Sequence, residues 1–340
     1  MKRVNIFQKV LIAFFVGLVA FWGYIQFSGS KAGNINFWYS FLFGLIPLFG
    51  GIMGMVRSKV WGGLHSSLGR AVFFVSLGLV CWGLGESIWS YYNFFKHVAA
   101  PYPSLADLGF APSIFFWVIG ASFLAHASGA WLQVKRSLSA RIYVAVVIAA
   151  LTVLSYILLI RVARGNVLVP AGETLLKTIL DIIYPLGDFL AAIFAFIVLT
   201  LSFKYLGGLY RMAIGAVLLG LGVMYVGDVV FSYMTTVGTY YNADWGDLIL
   251  TTGLALLTFG ALGLSTKPRV VVASSSIATP PTTPAIPETP EAATPMPSPA
   301  EPLAQVQTPV ADTAPTTPTE PTVEISAPVT ESHNTEGEEQ

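Results

Sequence analysis

Eight stretches of the chain run for about 20 residues or more with almost no charge: about 7–27, 37–56, 69–94, 109–131, 141–161, 179–203, 209–236 and 245–266. Crossing a hydrocarbon core of roughly 30 Å takes about 20 predominantly apolar residues. Lipid offers no hydrogen bonds, so each crossing segment must satisfy its own backbone groups, which a helix does and an isolated strand does not. The expected fold is therefore an all-α integral membrane protein with eight transmembrane helices. Composition agrees, since 54% hydrophobic and 11% charged residues lie outside the ordinary range of soluble domains. Glycine and proline inside the runs, such as Gly50, Gly51, Pro47, Pro112 and Pro185, are tolerated in membrane helices and are sites for kinks.

The first segment begins like a signal peptide, with Lys2 and Arg3 ahead of an apolar run. That run is too long for a secretory h-region, and Gly29-Ser-Lys-Ala is a poor cleavage site. It reads as an uncleaved first helix.

The formal charge of zero hides two unlike parts. Residues 1–269 hold all 18 Lys and Arg and eight acids; residues 270–340 hold the other ten acids and no Lys or Arg. The first part is the membrane domain. The second, full of Thr-Pro, Pro-Glu and Ala-Pro steps, cannot bury enough apolar surface to offset its ordering entropy and is expected to be a disordered anionic tail. Such a tail is a spacer, or alternatively a docking segment for a protein partner. Placing the N-terminus inside puts 13 basic residues in the inner segments and five in the outer ones (Lys31, Lys96, Arg161, Arg164 and Lys177), which orients both termini toward the cytoplasm. The basic residues are spread over short loops, so nothing points to nucleic acid. A single cysteine, Cys81, excludes an internal disulfide and a cysteine-based metal cluster.

Two pairs of motifs recur at nearly one spacing. Gly85-Glu-Ser-Ile-Trp-Ser-Tyr-Tyr in the third segment matches Gly227-Asp-Val-Val-Phe-Ser-Tyr-Met in the seventh, and Leu105-Ala-Asp-Leu matches Trp245-Gly-Asp-Leu, at offsets of 142 and 140 residues. The pattern suggests two four-helix repeats. Four being even, the halves would share one orientation and be related by an axis along the membrane normal.

All eight acids of residues 1–269 fall on the outer side or in the outer half of a segment. Glu86, Asp188 and Asp228 lie about eight or nine residues inside, roughly 12–14 Å deep at 1.5 Å per residue. A carboxyl at that depth is costly unless paired, protonated or facing a water-filled cavity, so it marks a candidate site; the alternative is a carboxyl bonded to a neighbouring helix to fix packing. Trp82, Trp89, Tyr91, Tyr92, Tyr184, Tyr225, Phe231 and Tyr233 surround these depths. They fit either an aromatic-lined cavity for a cationic ligand or an interfacial belt. Asp107, Asp244 and Asp247 sit where helices start, which suits capping. The candidate ligand-binding set is thus Glu86, Asp188, Asp228, Trp89, Tyr184, Asp107 and Asp247. His65, His97, His126 and His333 are scattered, and no nucleophile or metal-spacing motif is present, so neither catalysis nor a cofactor is expected and metal binding stays open.

The motifs Gly85-Glu-x-x-Trp, Tyr102-Pro-Ser-Leu-Ala-Asp-Leu, Tyr184-Pro-Leu-Gly-Asp and the segment from Asp228 to Asp247 occur in one order over roughly residues 70–265. In these the chain resembles the multi-helix membrane input regions of bacterial GGDEF-type diguanylate cyclases and some histidine kinases. The resemblance implies a sensory, ligand-responsive role for Glu86, Asp107, Asp188, Asp228 and Asp247 in a bacterial inner membrane. The chain departs from that pattern in having the Pro/Thr/Glu-rich tail where an output domain is expected. The leading expectation is a sensor-like or ligand-binding membrane protein with an outer-facing acidic pocket for a small molecule or cation. A cation- or proton-coupled transporter or channel component, and a scaffold that recruits partners through its tail, are the alternatives.

Overall fold

The structure is a computed structural model that describes residues 4–264 apart from 99, 163, 168, 170–171 and 203–210. The expected tail, and the expected helix ends at 203, 209 and 266, lie outside the described residues. Helices α1 (Ile6–Ser28), α2 (Asn34–Ser58), α3 (Ser67–Phe95), α4 (Asp107–Ala127), α5 (Ala130–Arg136), α6 (Leu138–Ser155), α7 (Leu175–Ile197), α8 (Arg211–Thr236) and α9 (Trp245–Leu264) follow one another, with no strand among the described residues. Helix α6 continues as a π-helix over Tyr156–Val162, and α7 over Val198–Ser202. Eight of these elements are long and apolar enough to cross a membrane. The chain is an all-α, multi-pass membrane protein. The fourth span ends at Ala127, short of the expected 131, and a separate seven-residue helix, α5, follows it.

Local chemistry sets the helix starts. Asn5 caps α1, accepting from the Gln8 backbone N–H at 2.9 Å while Gln8 Oε1 accepts from the Asn5 N–H at 3.1 Å. The same two side chains reach α9, where Asn5 Nδ2 donates to the Leu262 carbonyl and Gln8 Nε2 to that of Phe259. Thr174 caps α7, so that helix begins four residues before the expected 179.

Packing repeats between the two halves. Helix α3 packs most closely on α4 and α2; α8 packs on α9 and α7. The halves meet through α4 on α7 and α2 on α9, as halves related by an approximate two-fold axis do. Individual contacts repeat as well. Gly120 lies so close to Val75 and Ala71 that a Cβ there would sit 2.7 Å from Val75 Cγ2; Gly260 stands in the same relation to Val217 and Ala213, at 2.4 Å from Val217 Cγ2. Gly78 meets Trp117 and the Ser113 carbonyl as Gly220 meets Leu257 and the Gly253 carbonyl. These pairs fall at the offsets of 142 and 140 that relate the sequence motifs. Small residues at helix crossings are what membrane packing requires, because lipid provides no hydrophobic drive between helices and close backbone approach supplies the attraction.

The spans differ in how much of each is buried. Only 6% of the most apolar stretch of the Leu138–Val162 span is buried against other helices, compared with 67% for Trp245–Leu264. Helix α6 therefore faces lipid, and α9 is a core helix.

A carboxyl-lined cavity between the halves

A cavity of about 60 Å³ lies among α2, α3, α4, α7, α8 and α9, near the end of the bundle where the 96–106 and 237–244 loops connect. Helix α3 presents Trp82, Glu86 and Trp89 to it, a spacing of four and three residues that keeps all three on one helix face. Helix α8 presents Asp228 and Phe231, the positions equivalent to Glu86 and Trp89. Asp107 and Phe110 on α4 are matched by Asp247 and Leu250 on α9. The cavity is thus lined by corresponding residues of both repeats.

Four carboxyls line it, and no Lys, Arg or His does among the described residues. Glu86 is 4% exposed and accepts from Ser40 Oγ at 2.6 Å. It fits because Gly44 has no side chain; a Cβ there would lie 2.4 Å from Glu86 Cγ. Asp107 Oδ2 accepts from the Ser104 N–H at 2.7 Å, and its Oδ1 accepts from the Tyr184 hydroxyl. Asp247 Oδ2 accepts from the Ala243 N–H at 2.7 Å and its Oδ1 from the Tyr240 hydroxyl at 3.2 Å. The expected capping is present at the start of α9, where Asp244 Oδ1 accepts the Asp247 N–H at 3.0 Å; at the start of α4 no side chain caps the helix N-terminus, and Asp107 instead bonds back to the turn before it. Capping does not exhaust these acids, because Asp107 and Asp247 also face the cavity.

Rings close the remaining walls. Trp82 lies between Phe43 and Phe110, with centroids 5.5 and 5.1 Å away. Toward the loops, Phe231 is flanked by Tyr240 at 5.0 Å and Tyr102 at 5.5 Å. Trp89 Nε1 donates to Asn242 Oδ1 at 3.0 Å, which ties α3 to the 237–244 loop. Burial, reinforced by the neighbouring Asp247 and Asp244 carboxylates, holds the Tyr240 phenol well above its ordinary range, so it stays a donor.

Six of the seven residues singled out from the sequence, Glu86, Trp89, Asp107, Tyr184, Asp228 and Asp247, line this one space. Asp188 does not. It is fully buried behind the wall, its carboxyl against that of Asp228. Tyr91 and Tyr233 are 47% and 41% exposed and belong to the outer surface; Tyr225 is buried and bonded to Ser155. The described histidines His65, His97 and His126 are exposed. Phe110, Trp117 and Tyr240 line the cavity without having been singled out, and Tyr102, quoted only as part of a motif, lines it too. A usable signal existed for Tyr102 and Tyr240, since each precedes an acid-bearing helix start.

Two acids at the same end have basic partners instead. Arg164, buried, contacts Asp181 at 2.5 Å and Glu173 at 3.4 Å; Lys177 bonds Glu173 and lies 3.5 Å from Asp181. Burial opposes ionisation of Glu173, but Lys177 and Arg164 outweigh it and hold that carboxyl below its ordinary range. Among the described residues, no three of His, Cys, Asp and Glu converge to hold a metal ion. The cavity carboxyls are spread around a space, not gathered at a point.

Compared with known proteins, the chain matches no family model, and no curated protein or solved structure is significantly similar to it.

Proposed function

We propose that the chain is a sensor-like, ligand-binding protein of a bacterial inner membrane, whose cavity takes a small cation from the outer side. The observation that carries this reading is the lining itself: four carboxyls, aromatic walls and no basic side chain among the described residues. Carboxyls at membrane depth without basic partners leave a place for a positive guest, and rings around them add cation–π attraction. Size narrows the class. About 60 Å³ is well under the roughly 150 Å³ that admits benzene, and at about 15 Å³ per water it holds some four waters. The fitting guests are ammonium or a short alkylammonium. The excess of basic residues in the inner segments supports cytoplasmic termini, which places the cavity at the outer end. The resemblance to membrane input regions supports sensing over transport.

The test is a thermal-shift titration of the purified protein in detergent with ammonium and methylammonium, with N-methylglucammonium as an oversized control, beside the double variant Glu86→Gln, Asp228→Asn. A ligand that binds only the native state stabilises it by about 2.7 kcal/mol at a hundred times Kd. Saturable stabilisation of wild type by a small cation, absent from the variant and from the oversized control, is expected. Equal responses of wild type and variant to every cation would overturn the reading. Flux of the bound cation into proteoliposomes would replace sensing with transport.

A further inference from the structure

We propose that Asp188 and Asp228 form a proton-holding pair behind the cavity, and that the proton is exchanged for the cation, so that cavity occupancy reports both cation and pH. The inference rests on the cation-binding reading above. Asp188 is 0% exposed, and neither of its oxygens accepts from an N–H or O–H donor among the described residues. Its carboxyl lies against that of Asp228. Asp228 is half-buried and reaches the cavity, so one member of the pair touches the guest and the other does not.

No Lys, Arg or His stands within two turns of Asp188 on α7. Helix α8 offers Asp228, and Tyr225 whose hydroxyl is bonded to Ser155 of α6. Helix α4 offers Asp107, already bonded to Tyr184 one turn earlier on α7. Helix α6 offers Tyr143, stacked on Phe196 two turns away. Two carboxylates side by side in such surroundings repel each other strongly, and a proton shared between them relieves the repulsion. The other repeat shows that packing alone does not require a second acid: Glu86 is satisfied by the Ser40 hydroxyl.

Hydroxyls that a departing proton would meet stand on α8. Ser232 and Thr236 follow Asp228 at one and two turns, on the same face toward the 237–244 loop. Both hydroxyl oxygens are buried without partners among the described residues, in contrast to Thr235, which bonds back to the Phe231 carbonyl. Hydroxyls in that position suit a proton relay. The exchange balances: a pair carrying one negative charge loses its proton to outer solvent as one monovalent cation enters, leaving two carboxylates and the cation.

Calorimetric titration with methylammonium, in buffers of different ionisation enthalpy, counts protons released per cation bound. Wild type is expected to release about one, with apparent Kd falling about tenfold per pH unit while the pair holds its proton. Asp188→Asn is expected to keep binding with proton release close to zero and a flat pH profile, and Asp188→Glu to restore both. Unchanged proton release in Asp188→Asn overturns the inference and leaves the cation-binding reading standing. No methylammonium binding by wild type removes both. A measurement free of variants is the infrared band of protonated carboxyl C=O, which should lose intensity when methylammonium is added to wild type; a band that does not change overturns the exchange.

Discussion

Replacing Gly109 with alanine tests the crossing that sets the width of the cavity. An ideal Cβ at 109 would lie 2.4 Å from the Gly85 nitrogen, 2.6 Å from the Cys81 carbonyl oxygen and 2.6 Å from Gly85 Cα. All three are backbone atoms, so no side chain can rotate away. Ordinary contact begins at 3.4 Å, and 3.4 − 2.4 means that α3 and α4 must part by 1.0 Å at this point. Overpacking of this sort costs about 1–3 kcal/mol, here near the upper end, and the better helix propensity of alanine returns up to about 1 kcal/mol. The expected net loss is about 2 kcal/mol. Glu86 follows Gly85 and Asp107 stands two residues before Gly109, so the separation also moves two cavity carboxyls apart and should weaken small-cation binding. Equilibrium unfolding in mixed micelles, followed by tryptophan fluorescence, measures the loss. Gly222→Ala is the control: nothing lies within 4 Å of a Cβ there, and it should be neutral or stabilising. If Gly109→Ala unfolds with the same free energy as wild type, the helices do not cross at this distance and the reasoning fails.

Two further substitutions probe the same end of the bundle. Burial, only partly offset by hydrogen bonds from the Asp247, Tyr241 and Gly246 backbone, holds the Asp244 carboxyl above its ordinary range. Its contribution to stability is then full below the unfolded value of about 3.9 and is lost as pH rises through the higher folded value. Asp244→Asn keeps an acceptor for the Asp247 N–H, so its melting temperature should match wild type in acid and exceed it at neutral pH; a variant less stable at neutral pH would contradict this. Arg164→Met removes the closest basic partner of buried Asp181 among the described residues, leaving Lys177 at 3.5 Å, which should cost about 3–5 kcal/mol, whereas Arg164→Met with Asp181→Leu should recover most of it. A double-mutant cycle with no coupling energy would show that the pair is not formed.

How legible this was in the sequence depended on what each feature rests on. The spans were legible because roughly 30 Å of hydrocarbon demands about 20 apolar residues whatever the neighbours are. Helix α7 starts early because Thr174 caps it and Lys177, four residues after Glu173, bonds back to that carboxyl; a hydropathy window discounts such polar residues. The depth of Glu86 and Asp228 followed from counting residues inward. Which face of α7 meets α8 did not, because lipid-facing and helix-facing sides are both apolar, and so Asp188 reads as an equal of Asp228 in sequence and lies behind it in space. Glycines outside the two motifs carry the same repeat. Gly78 with Gly220 and Gly120 with Gly260 recur at offsets of 142 and 140 and mark the buried faces of α3, α4, α8 and α9.

The repeated frame is not filled with repeated chemistry. On one side Glu86 is answered by a hydroxyl, with the bare backbone of Gly44 beneath it; on the other Asp228 is answered by a second acid. On the proposed reading, a guest on the approximate axis meets a carboxyl held by a hydroxyl on one side and a paired carboxyl on the other. The handedness this imposes is chemical: a molecule with one charged end and one methyl end has a single preferred way to lie, while a guest with two equal ends gains nothing from the duplicated scaffold. Duplication supplied the room, and divergence between the copies gave the room a direction.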